Sequence, residues 1–445
     1  MRNHEGIDRR RFLSGSALAL GAGVLDSLPA VAFQSSRPAP IGSPPEWDAV
    51  RSQFELDPNY RHLAAFVLAA HPAVVRAAID AHRAGLDGNT RLYMIQNEGG
   101  LESDVAAAAG TYLGASSESI AFTDSTTMGT GLLYGGMRLR RGDEVLTTQH
   151  DFYATHESLR LRSVRDGIRV RKIRLYRNLS AVTAEEIVGR IRTAISPRTR
   201  VIALTWVHSS TGLKLPIRRI ARMVERLNAG RDGRDRILLC VDGVHGLGVE
   251  PEGVADLGCD FLVAGTHKWL WGPRGTGIVW GSRRGWSRTR SIIPTFDGRS
   301  YQAWLDGVPP SETGLTPAAA MTPGGYHSFE HRWALAQAFE WHLDIGKQAI
   351  ADRTHALASR LKDGLAAMDH VTVRTPMSDA LSSGIVCFDV DGRDPGSVVN
   401  ALRADHNIIA SVTPYAVRHI RMGTSIVNSE EDVDAALAAI GSLNR

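Results

Sequence analysis

The sequence predicts an α/β fold: a mostly parallel sheet sandwiched by helices, followed by a smaller C-terminal α+β domain. Three observations carry this expectation. Apolar runs, such as RVIALTWV at 200–207 and FLVA at 261–264, are bounded by glycine and polar residues and read as strands buried on both faces. Amphipathic stretches of helical length alternate with them, which means right-handed βαβ units. The runs also end on polar residues, and open α/β sheets bind ligands at the carboxyl ends of their strands.

Composition allows a large core, with 43% of the 445 residues hydrophobic and 22% charged, and the length suits two or three domains. The formal net charge of +4 comes from scattered arginines. No basic block interleaved with aromatics marks a nucleic-acid surface. Cys240, Cys259 and Cys387 lack metal-ligand spacing and read as buried free thiols, so no metal site is expected.

Residues 1–32 read as an export signal. Arg9, Arg10 and Arg11 precede Phe12-Leu13, a weakly hydrophobic stretch and the small-x-small site Ala30-Val31-Ala32. Arg-Arg-x-Phe-Leu resembles the twin-arginine (Tat) pattern. The hydrophobic stretch is short and carries Asp26, so stable membrane insertion is not expected. Residues 33–50, rich in Pro and Ser, read as a linker. Residues 51–345 form the expected large, cofactor-binding domain, and 346–445 the small one.

Within the large domain, residues 62–70 read as strand-like and lead into a helix near His71-Pro72. Residues 85–100 read as a polar loop, with Ser103 capping the next helix. A strand at 119–122 then runs into Thr123-Asp124-Ser125-Thr126-Thr127 ahead of a helix. That layout suits a phosphate, held by free N–H groups and the positive end of the helix dipole, although the same letters make an ordinary N-cap. A strand at 143–148 ends in Gln149-His150-Asp151-Phe152, where a flat ring can stack on a planar ligand or belong to the core. Strands at 168–176 and 200–207 and helices at 183–195 and 217–228 complete the approach to residues 236–277.

In that stretch one apolar run ends on Asp242, and the next delivers Gly265, Thr266, His267 and Lys268. Buried charges persist only when paired or put to use. A carboxylate and a lysine at the ends of successive buried strands suit pyridoxal 5′-phosphate, held as a Schiff base on lysine while a carboxylate pairs with its pyridine nitrogen. Desolvation and nearby cations lower the lysine pKa and so assist its attack. Alone, each residue reads as a surface lysine or a turn aspartate. The joint pattern is Asp-x-x-His, 26 positions from Asp242 to Lys268, then Gly-Pro-Arg-Gly-Thr-Gly.

With these residues the chain resembles the class V aminotransferase family of fold-type I pyridoxal-phosphate enzymes, nearest its isopenicillin-N epimerase-like group. VDGVHG is similar to the family's VDGAH strand end and THKWLWGPRGTG to its HKWL-GP-GTG segment, and the resemblance spans residues 50–445. It implies a homodimer with a seven-stranded-type sheet. Lys268 would carry the cofactor and act as acid and base at the α-carbon, Asp242 would stabilise the pyridinium, and His245, Thr266 and His267 would support ring and phosphate. Thr126 and Thr127 match the phosphate element T-x-x-TT-x-G. The stacking ring is His150 by the desulfurase branch and Phe152 by the epimerase-like branch. Ser209 stands where desulfurases carry an asparagine on the phenolic oxygen, a departure that leaves this contact to Ser209, His208 or a water.

Residues 286–321 read as irregular. Thr322-Pro323-Gly324-Gly325 resembles the family's GTPN loop, which reaches the neighbouring subunit's phosphate site. Helices at 328–345 and 348–368 lead to the small domain, with strands at 372, 384–390, 408–412 and 417–422 and helices at 395–403 and 430–443. Its segment RHIRMGTSIVNSEEDVDAAL resembles LRVS-H-YNTEEDID and puts Arg421 on the substrate carboxylate, a task suited to a bidentate guanidinium. The alternative is a strand-edge arginine paired with Glu430 or Glu431. The expectation is a homodimeric pyridoxal-phosphate enzyme, carried by the Tat export machinery to the periplasm or outside the cell. Its substrate is an amino acid or other small amino-bearing molecule, and the reaction transamination, epimerisation, elimination or oxidative decarboxylation. The rivals are a Tat-exported siderophore-modifying enzyme, a C–S lyase and a non-catalytic binding protein on the same fold. A cysteine desulfurase needs a small-domain loop cysteine, and residues 408–421 hold none.

Overall fold

The computed structural model describes residues 45–309 and 313–443, so the expected signal and most of the linker lie outside them. Trp47–Arg51 is already helical. Val50 is buried there in an apolar cluster with Phe54, Trp271 and Trp341, which ends the linker before its expected limit.

A two-residue strand β1 (Arg61–His62) comes first. Seven strands then form the central sheet: β2 (Ile120–Thr123), β3 (Glu144–Thr148), β4 (Arg169–Ile173), β5 (Thr199–Thr205), β6 (Leu238–Asp242), β7 (Phe261–Gly265) and β8 (Gly277–Gly281). Their order is β2-β8-β7-β6-β5-β3-β4, with β8 alone antiparallel to its neighbours. Every residue of β5, β6, β7 and β8 is buried, as two-sided helix cover requires of apolar runs. The edge strand β4, RVRKI, is partly exposed, and its charges protect an open edge.

The expected loop at 85–100 is instead helical: within Ala73–Leu113 two helices meet at a kink at Asn89, whose φ is -159° and ψ 87°. Ser103 is therefore no cap; its hydroxyl donates to the Gly99 carbonyl. Packing outweighs the polar, glycine-containing composition. A Cβ at Gly85 would meet the Tyr93 ring at 2.2 Å, so this glycine lets the ring fold back on its own helix, with Trp333 beyond it. Residues 286–321, expected to be irregular, carry the helices Gly298–Asp306 and Pro317–Met321.

The small sheet contains β9 (Val371–Val373) and β10 (Ile385–Val390). The run at 408–412 is divided at Ala410 into β11 (Ile408–Ile409) and β12 (Ser411–Val412), and β13 (Ile420–Gly423) follows. The order β12-β13-β10-β9 is antiparallel throughout, while β11 pairs in parallel with β1. Buried Glu250 joins the two parts of the chain. It accepts hydrogen bonds from Lys214 at 2.8 Å, His355 at 2.9 Å and Ser383 at 2.5 Å. Burial works against its charge, but His355 and Lys214 outweigh that and hold it below the usual carboxylate range.

Candidate active site

β6 and β7 lie side by side with Asp242 opposite Val263, so the ends of both strands open to the same edge. At Gly243, where the chain leaves β6, a Cβ would sit 2.5 Å from Leu262 Cδ1, so a larger residue would have to displace that side chain. Past β7, Thr266 and Thr276 hydroxyls meet at 2.5 Å and Gly272 N–H bonds to the Thr266 carbonyl, closing the loop that presents Lys268. Trp271 holds φ 58° in this loop, a left-handed conformation for a large buried residue and a mark of local strain.

Asp242 is buried, and its Oδ1 accepts the Val244 N–H at 3.1 Å. Burial pushes its carboxyl up to about 6 against the pull of Val244 and Lys268. The Lys268 amine is brought down to about 8, first by burial and then by Arg421, with Asp242 opposing. His245 Nε2 lies 3.3 Å from Lys268 Nζ, and its Nδ1 lies 3.0 Å from Trp269 Nε1. Burial, Lys268 and Arg421 together keep this imidazole neutral.

The helix Thr126–Gly136 begins next to the end of β7, where Ser125 caps it by accepting the Met128 N–H at 3.1 Å. Thr126 Oγ1 accepts the Gly265 N–H at 2.7 Å, tying the helix start to the strand that leads to Lys268. A Cβ at Gly265 would fall 2.8 Å from His267 and 3.1 Å from Thr126 Oγ1, so both side chains close over this glycine. His267 Nδ1 donates to the Thr276 carbonyl at 3.2 Å, and Thr127 is exposed at the helix start. Thr126, Thr127 and His267 are thus brought together at a helix N-terminus, a ready anion site, while the buried Thr266 hydroxyl is engaged by Thr276.

On the other side β13 contributes buried Arg421. Its guanidinium donates to the Ser209 carbonyl at 3.2 Å and Ser411 Oγ at 3.1 Å, and lies 4.9 Å over the Phe66 ring. Of the two expected alternative partners for Arg421, Glu430 pairs with Arg353 instead. Ser209 Oγ is 2.9 Å from Tyr415 OH, whose ring stands 6.0 Å from Phe152.

His150 is stacked on Tyr176 at 4.5 Å, with buried His208 5.9 Å away. Its Nε2 accepts the Leu175 N–H at 3.4 Å, which fixes the ring there. Thr322 Oγ1 accepts the Phe122 N–H at 3.1 Å and donates to the Ala318 carbonyl, anchoring its loop to β2. Three residues at the site went unassigned in the sequence reading. Trp269 lies inside the THKWLWGPRGTG segment, Phe66 in the strand-like stretch 62–70, and Tyr415 in the cysteine-free stretch 408–421.

The donor set fits pyridoxal phosphate on this structure's own terms. A buried carboxylate near pH 6 needs a cation such as a ring N–H⁺, a lysine near 8 is primed to hold an aldehyde, and an open helix start suits a phosphate. Among the described residues no cluster of His, Cys, Asp and Glu could hold a metal ion.

The family described as aminotransferase class-V matches residues 101–436. Isopenicillin N epimerase of Streptomyces clavuligerus is 24% identical over 411 residues, covering 89% of this chain and 98% of that protein. A probable cysteine desulfurase of Vibrio cholerae is 24% identical over 339 residues, covering 74% and 79%. Among solved structures, a C-DES mutant with glycine covalently linked to its PLP cofactor gives a TM-score of 0.76 at 20% identity, covering 88% of this chain and 98% of that one.

Proposed function

The chain belongs to the aminotransferase class-V family of pyridoxal-phosphate enzymes, and on that premise we propose that it acts at the α-carbon of an amino acid or amino-bearing metabolite by transamination or epimerisation. When bound, pyridoxal 5′-phosphate supplies the electron sink for this chemistry. Lys268 would hold it, Asp242 would face its ring nitrogen, and Phe152 would cover the ring. Thr127, His267 and the helix start at Thr126 would take its phosphate.

The remaining work falls to protein groups. Lys268, neutral above about pH 8, takes and returns the α-proton. Arg421 holds the substrate carboxylate through its guanidinium fork, and Ser209 and Tyr415 border the same space. One observation carries the proposal: the adjacent strands β6 and β7 end on buried Asp242 and lead to Lys268, whose Nζ lies 3.3 Å from His245 Nε2, and burial favours the neutral form of both the carboxyl and the amine. Passage of sulfur to a protein cysteine is no part of it, because all three cysteines are buried and burial raises their thiols.

Lys268→Ala should lose turnover and the yellow absorbance of bound cofactor, and borohydride reduction of the wild type should leave a pyridoxyl adduct on Lys268 alone. An adduct on another lysine overturns the assignment. The proposal extends to a homodimer and to Tat export, supported by the family resemblance and by Arg9-Arg10. Light scattering and cell fractionation test these; a monomer, or protein confined to the cytoplasm, removes the respective claim.

A further inference from the structure

We propose that Trp269 is a positioning residue: its indole N–H fixes the tautomer of His245, which then directs Nε2–H at Lys268 and holds the lysine as a neutral acceptor. An indole nitrogen only donates. Trp269 Nε1 lies 3.0 Å from His245 Nδ1, so Nδ1 accepts. The single proton of the neutral ring is then on Nε2, 3.3 Å from Lys268 Nζ. An N–H facing an ammonium N–H is repulsive, whereas a neutral amine offers it a lone pair.

The indole is held firmly. It is buried, stacked on Phe66 at 5.4 Å and 15°, and a Cβ at Gly384 would come within 2.8 Å of its edge. The same Phe66 stands edge-on to His245 at 6.0 Å and beneath Arg421, so one ring aligns the indole, the imidazole and the guanidinium. The charged and titratable groups around Lys268 are Asp242 at the end of β6, His245 in the following turn, Arg421 on β13 and His267 in its own segment. Of these only Asp242 favours the ammonium. The orientation of His245 therefore adds to burial and Arg421 in keeping the amine unprotonated.

The proposal takes Lys268 as the reactive amine of the function proposed above, but its test needs no cofactor. Trp269→Phe keeps an aromatic ring on Phe66 and removes the N–H. His245 is then free to carry its proton on Nδ1 and to accept from the lysine ammonium. Nitrogen-15 NMR of histidine-labelled apoprotein, with His245 assigned by its loss in His245→Gln, should show the Nε2–H form in the wild type and the Nδ1–H form gaining in Trp269→Phe. Competitive acetylation of the apoprotein across pH, read by peptide mass mapping, should place the Lys268 midpoint about one pH unit higher in Trp269→Phe. A wild-type His245 protonated on Nδ1 overturns the proposal, even if the variant fails to fold. So does a folded variant with unchanged tautomer and midpoint, the result a purely packing role would give. A pyridoxyl adduct on another lysine would sink the functional reading and leave the tautomer result standing.

Discussion

Asp242 shows how a single residue sets stability against function. Its folded-state pKa of about 6 stands above its ordinary 3.8, so between these values the folded chain binds more protons than the unfolded one. Its contribution is therefore best below pH 3.8 and is lost as pH rises through 6. At 1.4 kcal/mol per unit the cost to the apoprotein at pH 8 is about 3 kcal/mol. Asp242→Asn should raise the apoprotein melting temperature at pH 8, with the gain vanishing below pH 4, while cofactor affinity falls because no anion meets the ring nitrogen. Calorimetry across pH with cofactor titration checks both parts. A variant that melts lower at pH 8 shows the carboxylate is satisfied without a ligand.

At the scale of elements, the anion site depends on how closely the helix Thr126–Gly136 rides on the sheet. A Cβ at Gly129 would stand 2.6 Å from Val263, 3.2 Å from Val279 and 3.3 Å from Thr123. Gly129→Ala gains about 1 kcal/mol of helix propensity but overpacks this contact by about 1–3 kcal/mol. The helix start should then lift away from Gly265 and stretch the Thr126 hydrogen bond. Affinity for pyridoxal phosphate should weaken by about tenfold, or about 1.4 kcal/mol, while affinity for unphosphorylated pyridoxal stays near the wild-type value. Equal losses for both ligands would mean a general loosening rather than a displaced phosphate site.

Across the whole molecule, Glu250 is where the region carrying the lysine meets the region carrying Arg421. Its hydrogen bonds reach Lys214 on one side and His355 and Ser383 on the other. Its pKa is depressed in the folded state, so its stabilisation is present above the ordinary 4.5 and is lost as pH falls through the lower folded value. Glu250→Gln leaves Lys214 without its buried counter-charge and should cost about 3 kcal/mol at pH 7. The difference from wild type should shrink in acid, which denaturant melts at pH 7 and pH 3.5 would reveal. A constant difference across that range would place the effect in packing.

Much of the fold is local information. Buried strands centre on apolar runs, and the helix Ile217–Asn228 has the bounds its periodicity predicts. The ends of β6 and β7 likewise locate Asp242 and Lys268, because polar residues can follow an apolar run only where the chain leaves the sheet. Other features depend on contacts between residues far apart in sequence. The helical stretch Ala73–Leu113 kinks at Asn89, where the Tyr93 ring seats against Gly85 and Trp333. The run at 408–412 divides because β1 captures one half and β13 the other. His150 and Phe152 are equal candidates on paper, and their neighbours Tyr176 and Tyr415 are distant in the chain. The same holds for Trp269 and His245, 24 positions apart, whose hydrogen bond assigns a proton that no spacing rule contains. Periodicity reports which face of an element is buried; which side chains meet across that buried space is decided by packing.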